Sequence, residues 1–162
     1  MRIAALVFAG REYTTAAVML HHVIAERFAL SVTDLKALDL LQRSGPLTAG
    51  EIAAHTHLAT ASVTSLIDRL QRKRFVRRLR DPGDRRRVLV NITPNLEKEI
   101  APLFASLSRR LGKRFGRYSL EQIVLLGDFL TQGAREMREE AARLTGRPGP
   151  APQKARSPAK AR

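Results

Sequence analysis

The spacing of apolar residues changes its period within residues 61–92, and this change restricts the possible folds more than any other feature. Residues 61–73 have apolar side chains at helical spacing, and those on a common face are Val63, Leu66, Ile67 and Leu70. Beyond this helix the apolar positions alternate, which predicts one strand over 76–80 and another over 87–92. The intervening Asp81-Pro82-Gly83-Asp84 favours a turn, because proline fixes φ and glycine accepts a positive φ. The sequence therefore predicts a helix that leads directly into a β-hairpin.

Capping signals mark the starts of the helices around this hairpin. Thr48 and Glu51 form a capping box, which predicts a helix from residue 49 to about 55. Residues 31–34 can cap an earlier helix in the same way. Thr60 is the expected N-cap of the helix that precedes the hairpin. The sequence therefore predicts two short helices in succession before the hairpin.

Long helices are predicted on both sides of this unit. Residues 9–28 form a first helix, and residues 94–115 form a helix that Thr93 and Pro94 start. A second capping box at residues 119–122 opens a last helix, whose apolar positions alternate in steps of four and three. These positions are Ile123, Gly127, Leu130, Ala134, Met137, Ala141 and Leu144. Such a seam is typical of one helix packing along another. An intramolecular core is the alternative, but the long helices have more apolar face than the small unit can cover, which favours a dimer.

The distribution of charge points to a polyanionic partner. The chain has 29 Lys and Arg residues and 15 Asp and Glu residues, a formal net charge of +14. Residues 69–87 hold ten basic and two acidic residues, and residues 109–117 hold five more basic ones. Nucleic acid is the first candidate, and an anionic membrane surface is the second. Residues 146–162 combine five basic residues with four prolines, so we expect a disordered tail that either solubilises the protein or binds phosphates weakly.

A helix, a short turn, a second helix and a basic hairpin form a winged helix-turn-helix, which binds DNA. Short hydroxyl side chains near the start of the second helix can approach phosphates and base edges closely, and helix N-termini attract anions. The predicted contacts on this helix are Thr60, Ser62, Thr64, Ser65, Arg69 and Arg72. Arginines on a tight turn suit a narrow minor groove, and the predicted wing contacts are Arg85, Arg86 and Arg87. The expected fold is mainly α, with a two-stranded wing between long flanking helices.

Three segments resemble the MarR-type transcriptional regulators. They are residues 47–53, residues 62–70, and the run of 81–86 followed by 88–93. The resemblance extends over about residues 9–144. It implies a homodimer in which the first, fifth and sixth helices make the dimer region, about 1–30 and 94–145, around a DNA-binding lobe at about 31–93. Each second helix would enter a major groove, and each wing a minor groove, of a pseudo-palindromic operator.

The resemblance also assigns roles to single residues. It implies that Arg86 reads the minor groove and that Asp84 supports the wing. Ser65 departs from the family, because many relatives have a basic residue there. Arg74 departs too, because many relatives have a glycine in a left-handed conformation at that position. We interpret Arg74 as an extra phosphate contact, at a cost of roughly 1 kcal/mol in stability.

Several classes of function find no support in the sequence. The chain has no cysteine, which excludes thiol chemistry and cysteine-based oxidant sensing. No motif for catalysis or for a cofactor is present, and the spacing of the His21-His22 and His55/His57 pairs does not suit a metal site. We therefore expect neither an enzyme nor a cofactor or metal. Relatives often bind small anionic aromatic ligands beside the dimer helices, near His21, His22, Arg27 and Phe28, although a core or surface role is the simpler interpretation of each residue.

The expected function is that of a sequence-specific, homodimeric transcriptional regulator, most often a repressor in such families. The longest uncharged apolar run, residues 3–9, is far shorter than the ~20 residues that span a bilayer, so we expect a cytoplasmic, nucleoid-associated protein without a membrane partner. One alternative is an architectural DNA-binding protein with little sequence preference. The other is a ligand-binding or protein-interaction module that no longer reads DNA.

Overall fold

A computed structural model of the protein describes residues 2–56 and 58–146, and the predicted disordered tail lies outside them except for Gly146. The elements in these residues are α1 (Arg2–Arg27), α2 (Val32–Ser44), β1 (Leu47–Thr48), α3 (Ala49–Thr56), α4 (Thr60–Arg72), β2 (Val76–Arg80), β3 (Val88–Ile92), α5 (Pro94–Glu99), α6 (Ala101–Phe115) and α7 (Leu120–Thr145). This order confirms the mainly α fold with a winged helix-turn-helix.

The predicted capping boxes form, and they set the starts of α2, α3 and α7. The Ser31 hydroxyl accepts the Asp34 N–H at 3.1 Å, while the Asp34 carboxylate accepts the Ser31 N–H at 2.8 Å. Thr48 and Glu51 make the same reciprocal pair at the start of α3, and residues 119 and 122 do so for α7. Each pair satisfies two backbone donors that a helix start otherwise leaves without partners.

The predicted N-cap of α4 is wrong by one residue. The extended backbone that precedes this helix belongs to Ala59, with φ −66° and ψ 150°, so Thr60 is already the first helical residue. Alanine offers no side-chain acceptor, and the Thr60 carbonyl instead accepts the Thr64 hydroxyl at 3.2 Å. The start of α4 therefore lacks a side-chain cap.

Arg74 turns the chain from α4 into the hairpin. Its φ is +59°, in the left-handed region that the family resemblance predicted for this position. The Phe75 N–H donates to the Leu70 carbonyl at 3.0 Å and the Arg74 N–H to the Gln71 carbonyl at 2.9 Å, which together form a Schellman motif. The Thr93 hydroxyl donates to the Arg74 carbonyl and the Thr93 N–H to the Phe75 carbonyl, which joins both ends of the hairpin.

The sheet has three antiparallel strands in the order β1-β3-β2. The predicted hairpin forms with Val76 opposite Ile92 and Arg80 opposite Val88. The sequence did not predict β1, in which Leu47 lies opposite Val90. A strand of two residues is too short to show an alternating pattern.

The buried core lies within the winged-helix lobe. Its side chains come from α2, α3, α4, α5 and the sheet, and the most completely buried include Leu41, Ile52, Val63 and Leu70. From α1 only the C-terminal end takes part, through Ile24 and Ala25. The preceding apolar side chains of α1 remain outside this core, and Val23, for example, is 60% exposed.

The single helix predicted over 94–115 is broken at Ile100 into α5 and α6. Pro102 explains the break, because proline lacks the N–H that would donate to residue 98 and its ring clashes with that carbonyl. Ile100 itself is buried in the lobe, so the break lies at the edge of the core. Neither α6 nor the described part of α7 contains a buried residue.

Helix α1 meets the length and composition expected of a membrane span. An 18-residue window within Ile3–Arg27 has a mean hydropathy of 1.3, although this helix also contains Arg11 and Glu12. The seven-residue run considered in the sequence did not reveal this property, because it stopped short of those charges. A core helix of a soluble protein or a signal sequence meets the same criterion.

Candidate nucleic-acid interface

The N-terminal half of α4 presents the predicted hydroxyl side chains to solvent. Its opposite face is fixed in the core by Val63, Leu66, Ile67 and Leu70, each at most 2% exposed. The exposed side chains are Thr60, Ser62, Thr64 and Ser65. The hydroxyls of Thr64 and Ser65 donate to carbonyls one turn earlier, both at 3.2 Å, and a hydroxyl oxygen that donates remains able to accept bonds.

The two predicted arginines of α4 have different surroundings. Arg72 is exposed. Arg69 instead faces α2, where its Nε donates to Oδ2 of Asp34 at 2.9 Å and its Nη2 to Oδ1 at 2.7 Å. The Asp34 side chain is 0% exposed and that of Arg69 is 39% exposed. The sequence analysis predicted both Arg69 and Arg72 as DNA contacts and did not predict that Arg69 pairs with a buried carboxylate.

Sequence reasoning missed Asp34 because its residue type already had an explanation as part of a capping box. Burial alone raises the pKa of this carboxyl, but hydrogen bonds from Arg69 and Ser31 outweigh that effect and hold the pKa below its ordinary value. The same bond to Asp34 raises the pKa of Arg69. Both groups are therefore charged at neutral pH.

Two aspartates shape the tip of the wing. The Asp81 carboxylate accepts the Gly83 N–H at 2.9 Å, and the Asp84 carboxylate accepts the Arg86 N–H at 3.0 Å. The Asp81 N–H donates to the Arg87 carbonyl at 3.1 Å, which closes the loop. The positive φ expected at Gly83 does not occur, because these aspartates form Asx turns that need no left-handed residue.

The three wing arginines divide into a tip and a root. Arg85 and Arg86 are exposed, and within the described part of the chain neither guanidinium pairs with a carboxylate. Arg87 turns back, with Nη2 at 3.6 Å from Glu51 Oε1 and Nη1 at 3.9 Å from Asp81 Oδ2. Bonds from the Thr48 backbone and hydroxyl, aided by Arg87, lower the pKa of Glu51.

A further arginine, which the sequence did not single out, joins the wing to α4. Arg78 on β2 donates from Nη2 to the Asp68 carboxylate at 2.6 Å and from Nη1 to the Gln71 side-chain oxygen. The side chain of Asp68 is half exposed, so this bridge lies at the surface. The bridge connects α4 to the hairpin, and an open groove between these two elements is lined by Ser65, Asp68, Arg69, Gln71, Arg72 and Arg78.

Comparisons with known proteins identify the family. The MarR family model matches residues 30–88. The uncharacterized HTH-type transcriptional regulator YcgE of Bacillus subtilis is 40% identical over 134 residues, which cover 83% of this chain and 87% of that protein. The chain belongs to the MarR family. A second HTH-type regulator of Bacillus subtilis, YsmB, is 29% identical over 117 residues, 72% of this chain and 80% of that protein.

Solved structures agree with this assignment. A MarR family protein from Bacillus stearothermophilus has a TM-score of 0.63 at 26% identity, over 83% of this chain and 94% of that one. A mutant of Staphylococcus aureus MepR, solved bound to an oligodeoxyribonucleotide, has a TM-score of 0.55 at 18% identity, over 82% and 97% of the two chains, and it supports the fold alone. This chain is thus a DNA-binding transcriptional regulator with the MarR winged-helix fold.

This MarR-family chain also has a cavity between its first two helices and α6. The cavity has a volume of about 330 Å³, and its lining includes His21, Lys36, Asp39 and Phe104. His21 Nε2 lies 3.4 Å from Lys36 Nζ, and the His21 and Phe104 rings are 5.8 Å apart. Of the four residues that the sequence placed near a ligand region, only His21 lines this cavity. The other three lie elsewhere. His22 pairs with Glu26, Phe28 packs edge-on against Phe75, and Arg27 is exposed to solvent.

Proposed function

We propose that this MarR-family regulator acts in the cytoplasm as a homodimeric repressor on a pseudo-palindromic operator. The observation that carries the proposal is the connection of α4 to the wing through Arg78, with exposed hydroxyls on the helix and exposed Arg85 and Arg86 at the wing tip. Such a unit can present α4 to a major groove and the tip to an adjacent minor groove. MepR, a protein of the same fold, was solved bound to an oligodeoxyribonucleotide.

Competition binding tests the DNA-binding part of the proposal. Fluorescence anisotropy would compare a duplex from upstream of the protein's own gene with a scrambled duplex of equal length and composition. A specific regulator prefers its own site by ~10³ or more. Equal affinity for both would favour an architectural protein, and no binding at physiological salt would favour an interaction module. Deletion of the gene should raise transcription of its target, whereas a fall would identify an activator.

Unburied apolar side chains on α1, α6 and α7 support the homodimer. They include Phe8, Val23, Phe129 and Leu130, which are between 56% and 67% exposed in the single chain. Apolar faces of this extent mark protein interfaces, and a second copy of the same helices offers a matching surface. The Leu130→Asp variant should therefore be monomeric by light scattering. Gln132→Asp on the opposite face of α7 is the control, and a persistent Leu130→Asp dimer would refute the seam.

The cavity beside α1 supports the response to a small anionic aromatic ligand. Lys36 supplies a cation at the cavity wall and Phe104 an aromatic ring, while Asp39 is already paired with Arg43. Calorimetry with benzoate as the probe tests this assignment. Binding should occur with the wild type, weaken in Lys36→Gln and stay unchanged in Lys98→Gln, which alters an exposed lysine on α5. No benzoate binding at millimolar concentration would remove this ligand class.

A further inference from the structure

Asp34 is the one charged side chain in the described residues that is fully buried. Its carboxylate accepts three hydrogen bonds, two from the Arg69 guanidinium and one from the Ser31 backbone. A buried carboxylate without such donors would strongly destabilise the fold. The folded protein must therefore keep these donors in place around Asp34. Because Asp34 and Arg69 lie 35 positions apart on α2 and α4, the pair connects two helices rather than two turns of one helix.

The geometry of the pair restricts the orientation of α4. Two parallel bonds of 2.9 Å and 2.7 Å join the planar guanidinium to the planar carboxylate. Such a bidentate pair fixes the relative orientation of the two groups as well as the distance between them. Ser65 lies one turn before Arg69 and Arg72 one turn after it, on the neighbouring exposed face. A small rotation of α4 about its axis would move both of these side chains and break the pair.

The pair also changes the contribution of Arg69 to DNA binding. An arginine that contacts a phosphate releases counterions, and each such contact steepens the salt dependence of binding. The edge of Arg69 formed by Nε and Nη2 is occupied by a carboxylate that stays charged. The positive charge of Arg69 is thereby neutralised by a side chain of the protein itself.

We propose that Asp34 is a positioning residue for DNA recognition: it holds Arg69, fixes the rotation of α4 on α2, and withholds the Arg69 charge from the DNA backbone. This inference rests on the proposed function, because it concerns how the recognition helix is presented to DNA. It places Arg69 among the supports of the interface, with Arg78 and Arg87. The readers on α4 are then the hydroxyl side chains and Arg72.

The Asp34→Asn variant tests the proposal through a change that simple loss of structure does not produce. The amide keeps the shape of the carboxylate but leaves Arg69 with an uncompensated charge. On a scrambled duplex, the slope of log affinity against log salt should steepen by about 0.9 for each released arginine. The preference for the protein's own upstream duplex should fall about ten- to hundredfold, the discrimination of one base contact.

The double variant Asp34→Leu/Arg69→Met replaces both charges by apolar groups and leaves no buried charge, so we expect it to fold. Its salt slope should equal that of the wild type, because the pair contributes no net charge. A slope shallower by about 0.9 would instead make Arg69 a phosphate reader and overturn the proposal. Asp39→Asn is the matched control, since it breaks the exposed Asp39–Arg43 pair on the same helix.

A measurement without DNA separates this inference from the proposed function. In the wild type, the Arg69 Nε–H should give a slowly exchanging NMR signal, which Asp34→Asn abolishes and Asp39→Asn preserves. If the wild type does not distinguish its own duplex from the scrambled one, the proposed function fails while the NMR signal and the salt slope still test the pair. An Arg69 signal unchanged by Asp34→Asn would overturn the inference itself.

Discussion

The winged-helix lobe and the long helices α6 and α7 differ in how far this chain buries their apolar side chains. In the lobe, one chain supplies a closed core, and Asp34, its buried charge, has hydrogen-bonding partners. Helices α6 and α7 have strong helix signals and apolar stripes but no buried residue in the described chain. A local sequence pattern can thus encode a helix whose apolar face the core of the same chain leaves uncovered, and such a helix depends on further packing for its stability.

The largest expected effect is on the core of the lobe. Leu70→Ala should lower the free energy of unfolding by about 2–5 kcal/mol, because it deletes a fully buried side chain. Urea denaturation at several protein concentrations would measure it. For Leu130→Ala on α7 the loss should depend on protein concentration, since in the proposed homodimer this side chain acts through association. If the losses of unfolding free energy in the two variants depended equally on protein concentration, the two regions would not differ in how they are stabilised.

A second effect concerns pH. The pKa of Asp34 is lowered in the folded protein, so the unfolded chain binds the proton more tightly and the pair's stabilisation is present above about pH 4. The free energy of unfolding should therefore fall as the pH drops below about 4, through the folded pKa. Asp34→Asn should cost about 1–3 kcal/mol at pH 7 and show a weaker decline in acid. Identical acid profiles for both proteins would contradict this assignment.

Within the lobe, the wing tip and the wing root provide a smaller comparison. Arg86→Ala should weaken specific DNA binding and lower the salt slope by about 0.9, as expected for one lost phosphate contact. Arg87→Ala should reduce the slope less, because Glu51 and Asp81 already hold that side chain. Anisotropy titrations over a range of salt concentrations would measure both. An equal loss of slope would show that Arg87 contacts DNA as well.

The smallest expected change is at the end of α4. Arg74→Gly should raise the free energy of unfolding by up to about 1 kcal/mol, because glycine accepts the left-handed conformation without steric cost. Thermal unfolding would measure it, with Lys73→Gly, where φ is −81°, as the control that should lose stability. If Arg74 contacts a phosphate as we interpret it, Arg74→Gly also lowers the salt slope.

Sequence patterns and the family resemblance predicted the features that depend on neighbouring residues. The capping boxes, the hairpin between 76 and 92 and the left-handed Arg74 all depend on contacts close along the chain, and the structure contains them. The strand β1 and the Asp34–Arg69 pair could not be predicted in this way, because each joins residues more than 30 positions apart. The role of Arg78 could not be predicted either, because it is one of ten basic residues in 69–87 and the partner of each depends on the tertiary fold.

The bonds from Thr93 to Arg74 and Phe75 have a consequence for how the wing can vary. They tie the base of the hairpin into one junction that lies outside the tip loop of residues 81–87. Insertions or deletions at the tip would therefore lengthen or shorten the wing without shifting α4 or α5. In the proposed binding mode, the reach of the wing along a minor groove can thus evolve separately from the α4 positions that face a major groove.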